Sequence, residues 1–243
     1  MVYYKDMSLL DLIFPKYCVN CKKYGDYLCS DCFSRLSFDT QNICLACNKP
    51  SYDALTHPKC EGKYTISGSF TGIVYNPIAK KLLYQFKQRP YISGLGNFLT
   101  DLLYESLIQN EEFNRAIKGV SAKSILVPIP LTQTEFRKRG YNQSEILAKK
   151  LGKKLGFSVL NALDLIKETK PHLSVTRKGR KENIAGAFRL KSSHKNHITN
   201  NNIFLIDDVI NAGSVLAEAT KILKNNGANN VWGVAFALDN KKP

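Results

Sequence analysis

A chain of 243 residues with 44% hydrophobic content is long enough for one sizeable α/β domain plus a small appendage, and too apolar to be disordered throughout. Lys and Arg outnumber Asp and Glu by 35 to 20, a formal charge of +15. That imbalance favours nucleic acid or another polyanion as partner, with solubility as the competing explanation. Met1 to Asp6 carry no signal-peptide pattern, and Asp11 interrupts the apolar run Leu9 to Phe14. No stretch approaches the about 20 apolar residues of a membrane span. The expectation is a cytoplasmic protein with no membrane insertion.

The cysteines come mostly in C-x-x-C pairs, which argues for metal in a reducing compartment rather than a disulfide framework. Cys18-x-x-Cys21 followed closely by Cys29-x-x-Cys32 suits a tetrahedral zinc site of four thiolates, with Gly25 as the link between two knuckles. Four protein ligands leave no open position, so this zinc would be structural. A second set is less complete: Cys44-x-x-Cys47 and Cys60 lack a fourth cysteine, because Lys63 stands where it is expected. His57 can substitute, giving a site of three thiolates and one imidazole. A decayed site with exposed thiols is the equal alternative, and a single treble-clef-like site joining Cys18 and Cys21 to Cys44 and Cys47 is a third.

Gly62 to Gly72 reads as the passage out of this module, with Ser67, Gly68, Ser69 and Gly72 as turn formers around a short strand. The boundary falls between a zinc-binding module, 1–66, and a larger domain, 67–243. Apolar spacing predicts a helix over Ile78–Phe86, ended by Pro90, and another over about Leu95–Gln109. Lysines around the first, including Lys87, read as a solvated face. Ser124–Val127 is a strand stopped by Pro128 and Pro130. Leu131–Gln143 then reads as a cationic Gly-containing turn, followed by a helix from Ser144 through Leu151. A strand end feeding such a turn and a helix is an anion-site layout. Arg137, Lys138, Arg139 and Tyr141 are therefore nucleic-acid candidates: the cations track phosphates, and Tyr141, like Phe136, can stack on single-strand bases. Thr169–Leu190 holds Arg177, Lys178, Arg180 and Lys181 with poor periodicity, and reads as a loop or mobile arm. Ser192–Asn202 is polar, a surface hairpin or linker.

Ile203-Phe204-Leu205-Ile206 is a fully buried strand that two carboxylates, Asp207 and Asp208, bring to an end. A short turn containing Gly213 follows, then a helix with Val215, Leu216, Ala219, Ile222 and Leu223 on one face and Lys224 and Gly227 at its close. Such a strand, acidic pair, turn and helix place backbone N–H groups where an anion can sit, beside carboxylates at the C-terminal edge of a sheet. Val231–Leu238 is a final strand.

The stretch Ile203–Leu216 resembles the phosphoribosyl-pyrophosphate motif of type I phosphoribosyltransferases. The wider order resembles the ComF (ComFC) competence family over about Leu9 to Leu238. It comprises Phe14-Pro15-x-x-Cys18-x-x-Cys21, the cysteine pairs, Val127-Pro128-Ile129-Pro130-Leu131, Arg139-Gly140-Tyr141-Asn142-Gln143, Thr169-x-x-His172 through Arg177-x-x-Arg180-x-x-Asn183, and Asp207-Asp208. The resemblance implies a type I phosphoribosyltransferase-like α/β domain, a mainly parallel sheet with helices on both faces, plus an N-terminal Cys-rich zinc module. It also implies a phosphoribosyl-pyrophosphate site with Mg2+. There Asp207 and Asp208 meet the ribose hydroxyls, and Val209, Asn211, Ala212, Gly213, Ser214 and Val215 form the 5-phosphate turn. Arg177, Arg180 and Lys181 close over the departing pyrophosphate. Asn211, Ala212 and Val215 stand where the family usually has threonine, and His172 where it has glutamine. By the same resemblance the implied partners are single-stranded DNA taken up in natural transformation, a sugar-phosphate or nucleotide ligand, and other competence proteins. Whether the family's members are enzymes does not follow from the fold.

Overall fold

In the computed structural model, residues 15–40, 42–88, 93–118, 123–167, 177–211 and 213–239 are described, with the backbone alone at 93, 177, 178, 180 and 181. Alternate residues of the central strands enter two different cores. Phe204 and Ile206 of one strand join Trp232, Val234 and Phe236 of the next in the first core. Ile203 and Leu205 join Val231 and Ala235 in the second. Continuous apolar runs of this kind belong to parallel strands covered on both faces.

The strands are β1 (Gly68–Val74), β2 (Ser124–Pro128), β3 (Ser158–Val159), β6 (Asn202–Ile210) and β7 (Val231–Leu238), in the order β1-β7-β6-β2-β3. Every pairing in this sheet is parallel. A separate antiparallel hairpin joins β4 (Leu163–Leu165) to β5 (Phe188–Leu190). On one face lie α2 (Pro77–Gln88), α3 (Ser93–Ile108), α4 (Glu111–Lys118) and α6 (Gln143–Leu155), which contribute Leu82, Leu103, Phe113 and Leu147 to the first core. On the other lie α9 (Ser214–Asn225) and the hairpin, which contribute Leu216, Leu223 and Phe188 to the second. The expected α/β class, with a parallel sheet and helices on both faces, is what the chain adopts. No helix among the described residues is long and apolar enough to cross a membrane.

Several local expectations are corrected. The acidic pair does not end its strand: β6 continues to Ile210, with Asp207 opposite Ala235 and Val209 opposite Ala237. Gly68 and Gly72 lie inside β1 rather than in turns. A Cβ on Gly68 would run into the Ala54 carbonyl oxygen, and one on Gly72 would lie 3.0 Å from that of Phe236. Glycine is needed there for close backbone approach, not for a bend. The cationic stretch after Pro130 is a helix, α5 (Gln133–Arg139), because Thr132 Oγ1 accepts the Glu135 N–H at 3.1 Å and Gly140 closes the last turn at φ +77°. Part of the expected mobile arm is α7 (Arg177–Ile184) and β5, with Phe188 and Ile184 buried; residues 168–176 lie outside the described ones. The expected polar hairpin is a 3-10 turn, Ser192–His194, leading into α8 (Lys195–Ile198), anchored by fully buried Ile198.

The N-terminal module contains α1 (Ser30–Phe33) and isolated bridges that pair Tyr17 with Tyr24 and Ile43 with Pro50. It passes into β1 without a free linker. Ser69 N–H donates to the Ala54 carbonyl at 2.8 Å, and Ser67 N–H to that of Val231 at 2.8 Å. Cys18, Cys29 and Cys32 are part of the first core.

Candidate anion site and metal centres

β2 leads through α5 and α6 to β3 on one side, whereas β6 leads through α9 to β7 on the other. Strand order therefore reverses between β2 and β6, and α/β sheets bind ligands outside the carboxyl ends of strands at such a point. A cavity of about 160 Å³ lies there, bounded by Lys87, Pro130, Glu135, Arg139, Gln143, Asp207, Asp208 and the start of α9.

Lys87, at the end of α2, forms an ion pair with Asp208 Oδ2, the amine side chain 30% exposed and the carboxylate 8%. Burial alone would raise the Asp208 pKa, but the ammonium beside it wins and holds it below the usual carboxylate value. Asp207 is pushed up to about 8 by burial and by the charge of Asp208. At neutral pH it keeps its proton, so the trio is close to neutral. Its Oδ1 accepts from Ser144 Oγ at 3.2 Å and from the Asp208 N–H at 2.8 Å. At the same cavity the Arg139 guanidinium is braced by Gln143 Oε1 at 2.9 Å and Glu135 Oε1 at 2.8 Å.

Gly213 is the N-cap of α9, at φ +69°, and Gly213, Ser214, Val215 and Leu216 all line the cavity. The first N–H groups of any helix have no intrahelical acceptor, and they carry the positive end of its dipole. The two carboxylates, the first turn of α9 and the Arg139 guanidinium all border this cavity, a set that can hold a polyhydroxylated anion.

Val209, Asn211, Gly213, Ser214 and Val215 line this cavity with the acidic pair; Ala212 lies outside the described residues. Arg177, Arg180 and Lys181 are carried on α7, whose Ile184 reaches the same cavity. The nucleic-acid candidates are divided. Arg137 and Lys138 are exposed, whereas Arg139 turns inward. The half-buried Tyr141 donates its hydroxyl to the Phe86 carbonyl and meets the Phe86 ring edge-on at 6.4 Å. A wall containing Pro130 and Leu131 separates the cavity from a second of about 490 Å³, lined by Phe136, Arg137, Glu145, Asn161 and Lys191 among others. Sequence reasoning missed Lys87, Glu135, Gln143 and Ser144. For Lys87 a signal existed: it follows buried Leu83 by four residues and so shares its helix face.

The sulfurs of Cys18, Cys21, Cys29 and Cys32 all lie within 4.8 Å of one another, as do the ligand atoms of Cys44, Cys47, His57 and Cys60. Tetrahedral zinc with bonds of about 2.3 Å needs sulfurs about 3.8 Å apart, so both sets suit it. Cys21 Sγ stands 3.5 Å from Cys29 Sγ. Burial raises the Cys18 thiol, but the backbone N–H groups of Cys21, Cys29 and Asn20 aimed at its sulfur lower it to about 6, and N–H donors act likewise on Cys44, at about 7. In the second set His57 Nε2 lies 2.9 Å from the Pro50 carbonyl while Nδ1 faces Cys47 Sγ at 3.3 Å. Donating from Nε2 leaves Nδ1 as the free ligand nitrogen. Two separate clusters replace the alternative of one site shared by Cys18, Cys21, Cys44 and Cys47, because the knuckles fold on different sides of the sheet's end: Cys18 in the first core, Leu45 in the second.

A family model for the double zinc ribbon domain matches residues 9–61, which include all eight of these ligand positions. Competence protein F of Haemophilus influenzae is 36% identical over 115 residues, 46% of this chain and 50% of that protein, so the match spans only half of the relative. DNA utilization protein YhgH of Escherichia coli is 26% identical over 216 residues, covering 87% of this chain and 91% of its own. Competence protein ComFC of Bacillus subtilis is 25% identical over 214 residues, covering 84% and 81%. The chain is similar to these competence and DNA-utilization proteins, to the last two over most of its length, and together with the double zinc ribbon they support a ComF-like protein with an N-terminal zinc module. Zinc in this ComF-like protein is structural: each cluster supplies four protein donors and leaves no position for a substrate.

Proposed function

We propose that this ComF-like protein binds phosphoribosyl pyrophosphate with Mg2+ at the mouth between β2 and β6, and acts in the cytoplasm on single-stranded DNA during natural transformation. One observation carries the sugar-phosphate half: the acidic pair, the first turn of α9 and Arg139 converge on one cavity at the strand-order reversal. In this reading Asp207 and Asp208 accept hydrogen bonds from the ribose hydroxyls. The N–H groups of Ser214 and Val215, with the Asn211 amide and Ser214 hydroxyl, hold the 5-phosphate. Arg139 and the turn after Pro130 face pyrophosphate, with α7 and its Arg177, Arg180 and Lys181 nearby. Mg2+ would add charge neutralisation at the pyrophosphate. Calorimetry with phosphoribosyl pyrophosphate and Mg2+ tests the site. Binding by wild type that Asp207→Asn/Asp208→Asn abolishes supports it, and no heat at millimolar ligand refutes it.

The DNA half draws on what the relatives' names state, competence and DNA utilization, together with the +15 charge. Exposed Phe136, Arg137 and Lys138 form a cationic, aromatic edge on α5. Such binding weakens with salt at a slope of about −0.7 per phosphate neutralised on a single strand. An oligonucleotide affinity indifferent to salt, or unchanged in Arg137→Ala/Lys138→Ala, removes this part. Docking of other competence proteins belongs to the zinc module in the same reading.

A transferase reading adds one step. An acceptor nucleophile bonds to the anomeric carbon as its bond to pyrophosphate breaks, and the electron pair leaves on pyrophosphate, whose charge the α7 cations stabilise. Pyrophosphate release that depends on an added nucleobase supports catalysis; binding without release makes the site a sensor.

A further inference from the structure

The two ends of this molecule meet at one side chain. A Cβ placed on Gly213 would lie 3.0, 3.1 and 3.3 Å from the Cδ2, Cβ and Cγ atoms of Leu45. Leu45 is 5% exposed and belongs to the same core as Ile210 and Leu216, which flank the anion turn on either side. In the chain it stands between Cys44 and Cys47, two ligands of the second cluster.

The knuckle that carries Leu45 is tied down from several directions. Cys44 N–H donates to the Lys49 carbonyl at 3.0 Å, and Asn48 N–H to that of Cys44 at 2.6 Å. Pro50, bridged to Ile43, is held by His57 Nε2 at 2.9 Å. A metal on Cys44, Cys47, His57 and Cys60 would hold the knuckle on both sides of Leu45, at Cys44 and at Cys47. A Cβ at Gly213 would press on Leu45, and Gly213, at a left-handed φ of +69°, is the N-cap residue of α9, whose first residues line the cavity. The first cluster is placed differently. It packs on the opposite core, and Asn20 within it accepts from Lys81 of α2 at 2.8 Å.

We propose that Leu45 is a positioning residue for the anion turn, so that the second metal cluster, and not the first, controls the conformation of Gly213 and the affinity of the cavity for phosphate groups. The effect on affinity rests on the sugar-phosphate reading above; the effect on Gly213 does not.

Amide hydrogen exchange on the full chain, read at residues 213–217, separates the two. In Leu45→Ala with both zinc ions retained by metal analysis, exchange at these amides is expected to quicken about tenfold, a local opening eased without global unfolding. Affinity for phosphoribosyl pyrophosphate is expected to fall about tenfold, equivalent to 1.4 kcal/mol. Leu45→Met, which conserves volume, restores both. Cys60→Ser, losing the second zinc, reproduces the effect, whereas Cys29→Ser, losing the first, leaves residues 213–217 protected as in wild type. Should Leu45→Ala shed zinc, Leu45→Val gives the graded version of the same comparison. Unchanged exchange in a zinc-loaded Leu45→Ala or Leu45→Val protein overturns the proposal. Wild type that binds no phosphoribosyl pyrophosphate defeats the sugar-phosphate reading instead, and the exchange data still decide the role of Leu45.

Discussion

Lys87 Nζ and Asp208 Oδ2 are ion-paired at the cavity, joining the last turn of α2 to the acidic pair within β6. The carboxylate is nearly buried while the amine keeps one side in water, so the pair compensates a charge that would otherwise be costly inside the fold. Removing the amine strands that charge. Lys87→Gln is expected to cost about 2 kcal/mol, below the 3–5 kcal/mol of a fully buried pair because Lys87 retains solvent. Urea unfolding of Lys87→Gln, Asp208→Asn and the double variant measures it; the double should be more stable than the two losses summed.

Asp207 is pushed up to about 8 by burial and its charged neighbour, against 3.8 when free. Between those two values the folded protein holds a proton that the unfolded chain has released. This contribution to stability is complete below pH 4 and disappears as pH rises through 8. Asn mimics the protonated carboxyl. The melting temperature of Asp207→Asn relative to wild type should therefore climb from pH 5 to pH 9, and a constant difference would place the Asp207 titration elsewhere.

Zinc removal should reach beyond the N-terminal module, because Cys18, Cys29 and Cys32 are built into the first core beside α2 and α3. Chelation is expected to cost about 5 kcal/mol, a fraction of what a structural zinc supplies to an isolated finger. For a chain of this size that lowers the melting temperature by roughly 10–20 °C. Metal analysis should find two zinc ions per chain, one for each cluster.

Gly68 has no space for a side chain against the Ala54 carbonyl, which is backbone and cannot swing aside. Gly68→Ala is expected to destabilise by about 1–3 kcal/mol through overpacking where the zinc module meets β1. A lower urea midpoint with an unchanged slope is the signature. The same substitution at Gly25, whose Cβ would meet nothing within 4 Å, is limited to the cost of its φ of +122°.

Much of this protein is determined by sequence alone. Uninterrupted apolar runs such as Ile203–Ile206 require cover on both faces of a parallel sheet, and C-x-x-C spacing requires a metal before the knuckles are seen, since both signals are local and periodic. The acidic pair and Gly213 were visible for the same reason: strand, turn and helix are contiguous in the chain. Shorter elements were hidden where a cap or a single buried anchor, rather than periodicity, makes them. α5 depends on Thr132 and Gly140, and α8 on one buried residue, Ile198. The tertiary structure alone decided which charges meet. Lys87 lies 121 residues before Asp208, Arg139 leaves its basic neighbours to face the cavity, and Leu45 reaches Gly213 from the far end of the chain. A helix pattern records which face is buried but not what the opposing element brings to it. Those pairings are set by strand order, where β2 and β6 lie side by side and their connections turn apart.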